Sequence, residues 1–348
     1  MSTRSGLTIR DVAALAGVSH QTVSRVINHN ERVSPETRRK VEDAISQLDF
    51  RPNVYARFIA SGHIRHLGCI APNLTDYTFA RIIDGAETEA RKLGYFVISA
   101  SAQDVSTFGT LVDELIATGR TEGLMVINPY VDQRFTLLPQ DFPLIFLGAT
   151  VRGGQADAVR LDDLTAGRTA TQHLLDLGHT HIACLTGVIE EDCASDRLAG
   201  YQQALLERGI QPQRDLIIYG DWSPRSGYEG IFQLLSRKLP FSAIFAQNDC
   251  IAAGAIRGAH EAGLFIPEDV SIIGFDDIPL SAYFNPALTT MQQDLFEIGR
   301  VAVHRLIDRI QNLDLPYEQL HLPANLVVRN STTAYLGKEV KPLERLKK

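Results

Sequence analysis

The 348-residue chain has one tryptophan, three methionines and four cysteines. Cys69, Cys184, Cys193 and Cys250 are scattered and form no CxxC pair, so neither a zinc ribbon nor a disulfide scaffold is expected. No stretch approaches the roughly 18 uninterrupted apolar residues that a membrane span needs. No apolar signal-peptide segment follows Met1, and a reducing, cytoplasmic location is the expectation. A glycine-rich phosphate loop, a GxSxG elbow and an HExxH pair are all missing. Asp162-Asp163 and Asp276-Asp277 are carboxylate pairs, but adjacent residues of a strand point to opposite faces, so neither pair alone makes an acid/base couple. His63-x-x-His66 and His179-x-His181 lack a nearby third ligand. No enzyme, metal or cofactor is expected.

What is present is a charge asymmetry. Net charge is -7, yet residues 1–60 hold nine Lys/Arg against six Asp/Glu, and the remainder holds 25 against 35. A head of +3 on a body of -10 suggests that only the head approaches a polyanion.

Up to about Gly62 the pattern is wholly helical. Thr8 is a good N-cap, and Ile9, Val12, Ala13, Leu15 and Ala16 give the apolar stripe of a short first helix. Gly17 ends it and Ser19 caps a second, about 19–28, with Val23, Val26 and Ile27 inward. That leaves His20, Gln21, Ser24, Arg25 and Asn28 for water or a partner. Ser34-Pro35 opens a third helix on Val41, Ala44, Ile45 and Leu48. Three short helices with a tight glycine turn make a helix-turn-helix module.

From His66 apolar strands alternate with amphipathic helices. Strands are expected at Leu67–Ala71, Tyr95–Ser99, Leu124–Ile127, Leu144–Leu147, Ile182–Thr186, Leu216–Tyr219, Ala243–Ala246 and Ser271–Phe275. Gly94, Gly178, Gly209 and Gly263 each follow a helix. This is α/β with parallel sheets. About 270 residues is large for one sheet, and two doubly wound lobes, roughly 64–161 and 162–290, imply a cleft at the strand C-termini.

The run Thr8-Ile9-Arg10-Asp11-Val12-Ala13-Ala14-Leu15-Ala16-Gly17-Val18-Ser19-His20-Gln21-Thr22-Val23-Ser24-Arg25-Val26-Ile27-Asn28 resembles the head of the lactose-repressor/purine-repressor family of bacterial transcription regulators. The likeness continues in Arg51-Pro52-Asn53, Leu177-Gly178-His179, Asp196 to Tyr201, Gln247-Asn248-Asp249, Gly274 to Asp277 and Leu288-Thr289-Thr290, and covers about residues 7–335. It implies a homodimer reading two half-sites of a near-palindromic operator, with affinity controlled by a small polar effector. It also implies a body like periplasmic sugar-binding proteins, with three crossovers near Leu161–Asp163, Met291–Asp294 and His321–Ala324. The expected organisation is a head at 1–50, a hinge at 51–62, a body at 63–340 and a tail at 341–348. Within the body, one lobe takes about 63–161 and 293–321, the other about 162–291 and 322–340.

Carried over residue by residue, the resemblance places His20, Gln21 and Arg25 at the base edges of the major groove. Thr8, Ser19, Ser24, Asn28 and Thr37 become candidate phosphate contacts. Asn53, Ala56, Arg57, Phe58 and Ile59 fall in a minor-groove hinge helix, where Ile59 stands in place of the family's wedging leucine. Phe58 and Ile59 packing against the body is the alternative. For the effector the resemblance implies Asp76, Thr78, Phe79, Gly148, Arg197, Trp222, Asn248, Asp276 and Gln293. Asp76 stands where the family commonly has Asn, and Thr78 where it commonly has an aromatic. Trp222 could instead be an ordinary core or surface aromatic, Asp276 a turn cap, and Arg197 a partner of Asp196 or Glu191. The effector implied is a sugar, sugar derivative or glycoside. An exported sugar-binding protein would fit the body but not the head. A tetramer would need more than the single heptad step Leu336–Leu343.

Overall fold

The computed structural model describes residues 7–27, 32–50, 64–152, 156–237, 239–338 and 340. They divide into two compact units, Met1–Ile64 and Arg65–Lys348.

The head has three helices: α1 (Ile9–Ala16), α2 (His20–Ile27) and α3 (Pro35–Gln47). Thr8 opens α1 by donating both its backbone N–H and its hydroxyl to the Asp11 carboxylate at 2.7 Å, which lowers the Asp11 pKa. Gly17 closes α1 at φ +65°, a left-handed conformation that costs glycine little. The Ser19 hydroxyl accepts the Thr22 N–H, and that of Ser34 accepts the Thr37 N–H. Val12, Val23 and Val41 are fully buried between the three helices, with Phe50 closing the bottom. Leu15 departs from the expected stripe. It is 49% exposed, because Val12 and Ala13 already fill the inner face of this two-turn helix.

The body contains two parallel sheets. Its first part runs β1 (His66–Ala71), α4 (Tyr77–Lys92), β2 (Phe96–Ser101), α5 (Val105–Val112), β3 (Gly123–Ile127), β4 (Leu144–Leu147) and β5 (Asp157–Leu161). The second runs α6 (Asp163–Asp176), β6 (Ile182–Leu185), α7 (Asp192–Glu207), β7 (Ile217–Ile218), α8 (Pro224–Ser236), β8 (Ala243–Ala246), α9 (Asp249–Glu261), β9 (Ser271–Ile273) and β10 (Thr290–Gln293). Helix α10 (Leu295–Gln311) and the strands β11 (Gln319–Leu322) and β12 (Ala324–Val327) complete it. The first sheet has the order β11-β5-β4-β3-β1-β2 and the second β7-β6-β8-β9, while β10 pairs antiparallel with β12.

Strand alternation assigns each face its helices. Leu67, Cys69, Met125, Ile127, Ile145 and Leu147 pack under α4 and α10, whereas Ile70, Leu124, Val126 and Phe146 face α5. In the second sheet Ile182, Cys184, Ala243 and Phe245 meet α6 and α7, and Ala183, Leu185, Ile244 and Ala246 meet α8 and α9. The chain passes between the lobes at Asp162, Asp294 and Pro323.

Three expected strands are shorter than read. Ser271–Phe275 ends at Ile273, Ile182–Thr186 ends at Leu185, and Leu216–Tyr219 keeps only Ile217–Ile218. Phe275 stays fully buried while Tyr219 is 62% exposed, so apolar character at a strand end does not fix where pairing stops. The second strand is displaced instead, to Phe96–Ser101.

One helix contact sets the depth of a functional side chain. A Cβ built on Gly167 of α6 would lie 2.5 Å from the Arg197 carbonyl oxygen of α7, and one on Gly200 would lie 2.2 Å from that of Leu164. The two backbones touch because both glycines lack a side chain. Gly167→Ala should push α7 away and cost about 1–3 kcal/mol. Urea unfolding would show this, and an unchanged midpoint would mean the helices can slide without loss.

Candidate functional site

In α2 successive residues are turned by 100°, so His20, Gln21, Ser24 and Arg25 share an arc of roughly 140°. Val23 and Val26 lie on the opposite, buried side. His20, Gln21 and Arg25 are exposed and Ser24 is half-exposed. Of the other candidates for phosphate contact, the hydroxyl of Thr8 serves Asp11, and the hydroxyls of Ser19 and Thr37 are held by Thr22 and Ser34. These bonds fix the helix starts whose N–H groups would meet phosphate. Asn28 and the hinge residues Asn53, Ala56, Arg57, Phe58 and Ile59 lie outside the described residues, as does His63.

In the body, the segments that follow the C-terminal ends of β1, β3, β4, β6, β7, β8 and β9 converge on one cavity of about 310 Å³ between the lobes. Asp76, Thr78, Phe79, Gly148, Arg197, Trp222, Asn248, Asp276 and Gln293 all line it. So do several residues that the sequence did not assign to the cleft, among them Asn128, Asp163, Glu191 and Asp221.

Arg197 is the centre of the polar network. It is 5% exposed. Its Nε donates to Asp163 Oδ1 at 2.8 Å and its Nη1 to the Gln247 carbonyl at 2.6 Å. The guanidinium lies 3.6 Å from the centre of the Phe275 ring. Its ion partner is therefore Asp163, not Asp196 or Glu191. Asp196 instead meets Arg160 of the first lobe, whose Nη2 also lies 3.5 Å from Asp163. Two of the five guanidinium donors serve the protein.

Trp222 is half-buried and held on three sides. A Cβ on Gly187 would sit 2.2 Å from the indole, so the ring lies flat on that backbone. Its Nε1 donates to Glu191 Oε2 at 3.2 Å, and its carbonyl accepts from Asn248 Nδ2 at 3.1 Å. Asn248 also caps α9, its Oδ1 accepting the Ile251 N–H at 2.6 Å. Trp222 has φ +69° and Asp276 φ +109°, sparsely populated regions for residues with a Cβ that are retained where surrounding structure demands them. Asp276 accepts from Gln293 Nε2 at 2.5 Å and lies 3.9 Å from Arg197 Nη1. Burial pushes its pKa well above the usual carboxylate range; Arg197 opposes this, and Asp249 and Asp76 add to it. Burial likewise raises Glu191, with Trp222 and Arg197 opposing and Asp76 adding to the rise.

Planar amides, carboxylates, one guanidinium and an indole around a small cavity are what bracket a polyhydroxylated molecule and cover its C–H face. Among the described residues no group of three His, Cys, Asp or Glu could hold a metal. His179 is tied to Ser242 Oγ at 2.9 Å and the Thr333 carbonyl at 3.0 Å.

Residues 8–53 match the model of bacterial regulatory proteins of the lacI family, and residues 171–332 that of the periplasmic binding protein-like domain. The HTH-type transcriptional repressor PurR of Erwinia tasmaniensis is 34% identical over 328 residues, covering 93% of this chain and 96% of the relative. This chain belongs to the lacI family. The ribose operon repressor of Escherichia coli K12 is 32% identical, over 93% of this chain and 99% of its own. The lac repressor dimer bound to operator and the anti-inducer ONPF superposes with a TM-score of 0.84 at 33% identity, covering 94% and 100% of the two chains. As a family member this is a helix-turn-helix transcriptional repressor with a periplasmic-binding-protein-like body that takes a small-molecule effector. None of its described helices is long and apolar enough to cross a membrane.

Proposed function

We propose that this lacI-family repressor binds a near-palindromic operator as a homodimer, each α2 reading one half-site through His20, Gln21 and Arg25. Thr8, Ser19, Ser24, Asn28 and Thr37 hold the phosphates, and residues 53–59 form the minor-groove hinge. A sugar, sugar derivative or glycoside enters the cleft of the body and sets operator affinity. It is bracketed by Arg197, Asn248, Asp276 and Gln293 and stacked on Trp222, while Asp76, Thr78, Phe79 and Gly148 meet it from the first lobe. The dimer reading is supported by the operator-bound lac repressor dimer, and the sugar reading by the name of the ribose operon repressor.

The observation that carries the effector reading is convergence. Nine residues spread from 76 to 293 line a single cavity of about 310 Å³, a size at the small end of ligand sites. Two states of the lobes then couple to the head through the hinge.

The chain's single tryptophan makes the test direct. Titrating monosaccharides, disaccharides and glycosides into the full protein should change Trp222 emission for at least one of them, and Trp222→Phe should remove the signal. A response to nucleobases or amino acids with none to any sugar would overturn the sugar class.

A further inference from the structure

Around the cavity five carboxylates, Asp76, Asp163, Glu191, Asp221 and Asp276, stand against one cation, Arg197. All five accept hydrogen bonds from the protein. Asp163 is paired with Arg197 and Arg160, and Asp221 holds the Ser223 hydroxyl at 2.5 Å and its N–H at 3.0 Å. The other three face one another across the cleft. Asp76 belongs to the first lobe and Glu191 and Asp276 to the second, and the charge of Asp76 is felt by both.

Of the three helix N-termini at the cavity, the usual seats for anions, those of α4 and α9 are capped by side chains, and that of α7 carries two acids without a cap hydrogen bond. Asp76 caps α4, its Oδ1 accepting the Thr78 N–H at 2.8 Å. Glu191 and Asp192 stand at the start of α7, and Asn248 and Asp249 at the start of α9. Arg197 has already spent two donors on Asp163 and Gln247. An entering phosphate or carboxylate would meet facing carboxylates and, as the one cation of the lining, an Arg197 that already balances Asp163 and stands 3.9 Å from Asp276.

We infer that the cleft is a charge filter, admitting neutral or cationic polyols and rejecting anionic ones such as phosphorylated sugars and sugar acids. This rests on the effector reading of the cleft. It adds that Asp76, Glu191 and Asp276 set the class. Several hydroxyls of one polyol, or the three N–H groups of one ammonium, can serve Asp76 and the two acids opposite as the lobes approach. An anion there meets the charge of Asp76 and further disfavours the ionised forms of Glu191 and Asp276, which burial already opposes.

Trp222 reports the filter without any knowledge of the natural effector. Its collisional quenching by caesium and by iodide would be measured in the full-length protein at matched ionic strength and pH 8. Each constant is divided by that for acrylamide, and the ratio is normalised to the urea-unfolded chain. The filter predicts a caesium-to-iodide ratio well above unity. Asp76→Asn keeps a capping side chain and should lower the ratio by about twofold, since removing one salt-screened charge shifts the local caesium and iodide concentrations in opposite directions. Glu191→Gln, which can still accept from Trp222, should lower it further. A ratio at or below unity, or one indifferent to both substitutions, overturns the filter.

The second arm compares neutral aldoses and amino sugars with sugar 6-phosphates and uronates as protectors of Trp222 against acrylamide. Protection by the anionic set equal to or greater than that by the neutral and amino set also overturns the filter, yet leaves the effector cleft intact. A high ratio with no protection by any sugar refutes the sugar reading and upholds the filter.

Discussion

Arg197→Ala should lose about 3–5 kcal/mol of folding stability, the scale for removing one partner of a buried ion pair. The side chain is 5% exposed and compensates Asp163 directly and Asp276 at 3.9 Å. Its removal leaves Asp163 with only Arg160 at 3.5 Å, takes the cation from beside Asp276 and uncovers Phe275. Urea unfolding followed by far-UV circular dichroism measures the loss. Arg197→Lys separates charge from shape: an ammonium still faces the carboxylates but cannot donate through a planar fork while lying on an aromatic ring. The lysine variant should recover part of the stability and little of the sugar-induced change in Trp222 emission. An alanine variant as stable as the parent would mean that the Asp163–Arg197–Asp276 arrangement is not balanced by this guanidinium.

The second large effect is expected in the head. Arg25→Ala should weaken binding to the selected operator by about 1–3 kcal/mol per half-site, the scale of one bidentate base contact. Binding to unrelated duplex should weaken only by the loss of one positive charge, visible as a slightly shallower salt dependence. Thr37→Ala is the contrast, since a phosphate-positioning residue should lower affinity for all sequences alike. Equal losses on operator and unrelated DNA for Arg25→Ala would remove it from base reading. The buried valines opposite Arg25 make the substitution tolerable to the fold, because Val23 and Val26 carry the packing of α2.

The architecture was legible where a single periodic pattern decides the outcome. The two valines of α2, the glycine after α1 and the apolar runs of β4 and β8 each mark one element without help from distant chain. Gly94, Gly178, Gly209 and Gly263 all take positive φ at helix ends, between +74° and +89°. The pattern failed where charged residues are buried. Strand β5 reads Asp-Ala-Val-Arg-Leu and is wholly buried. Asp157 is met by Arg305 at 2.7 Å and Arg309 at 3.0 Å, and Arg160 by Thr150 and Asp196. The partners of Asp157 are some 150 residues away, and no local pattern announces them.

The same limit applies inside the cleft. The nine expected cleft residues reached it through the family resemblance, while Asp163 and Glu191 were missed as cleft residues. Asp163 sits beside the crossover and reads as a helix-start acid. Only the depth of α7, set by Gly167 and Gly200, brings Arg197 onto it. Glu191 could be named as a possible partner of Arg197. Its actual role, receiving the Trp222 indole N–H, depends on a left-handed turn at Trp222 that the sequence does not reveal.

The lobes also meet along one flank. The Thr150 N–H donates to Asp192 at 2.8 Å, and Arg152 pairs with the same carboxylate. Asn128 lies 3.5 Å from Glu191. Glu191, which lines the cleft, is thus next in sequence to a residue that joins the lobes, a short mechanical route from cleft to lobe angle.

The central claim is that two copies of this chain read a symmetric DNA site. The measurement that tests it most directly is selection of bound duplexes from a random pool by the purified full-length protein at physiological salt. The account predicts one near-palindromic motif with a fixed central step, its half-sites altered by Gln21→Ala and Arg25→Ala. Enrichment of a lone, asymmetric half-site, or of a motif unchanged by both substitutions, would contradict it.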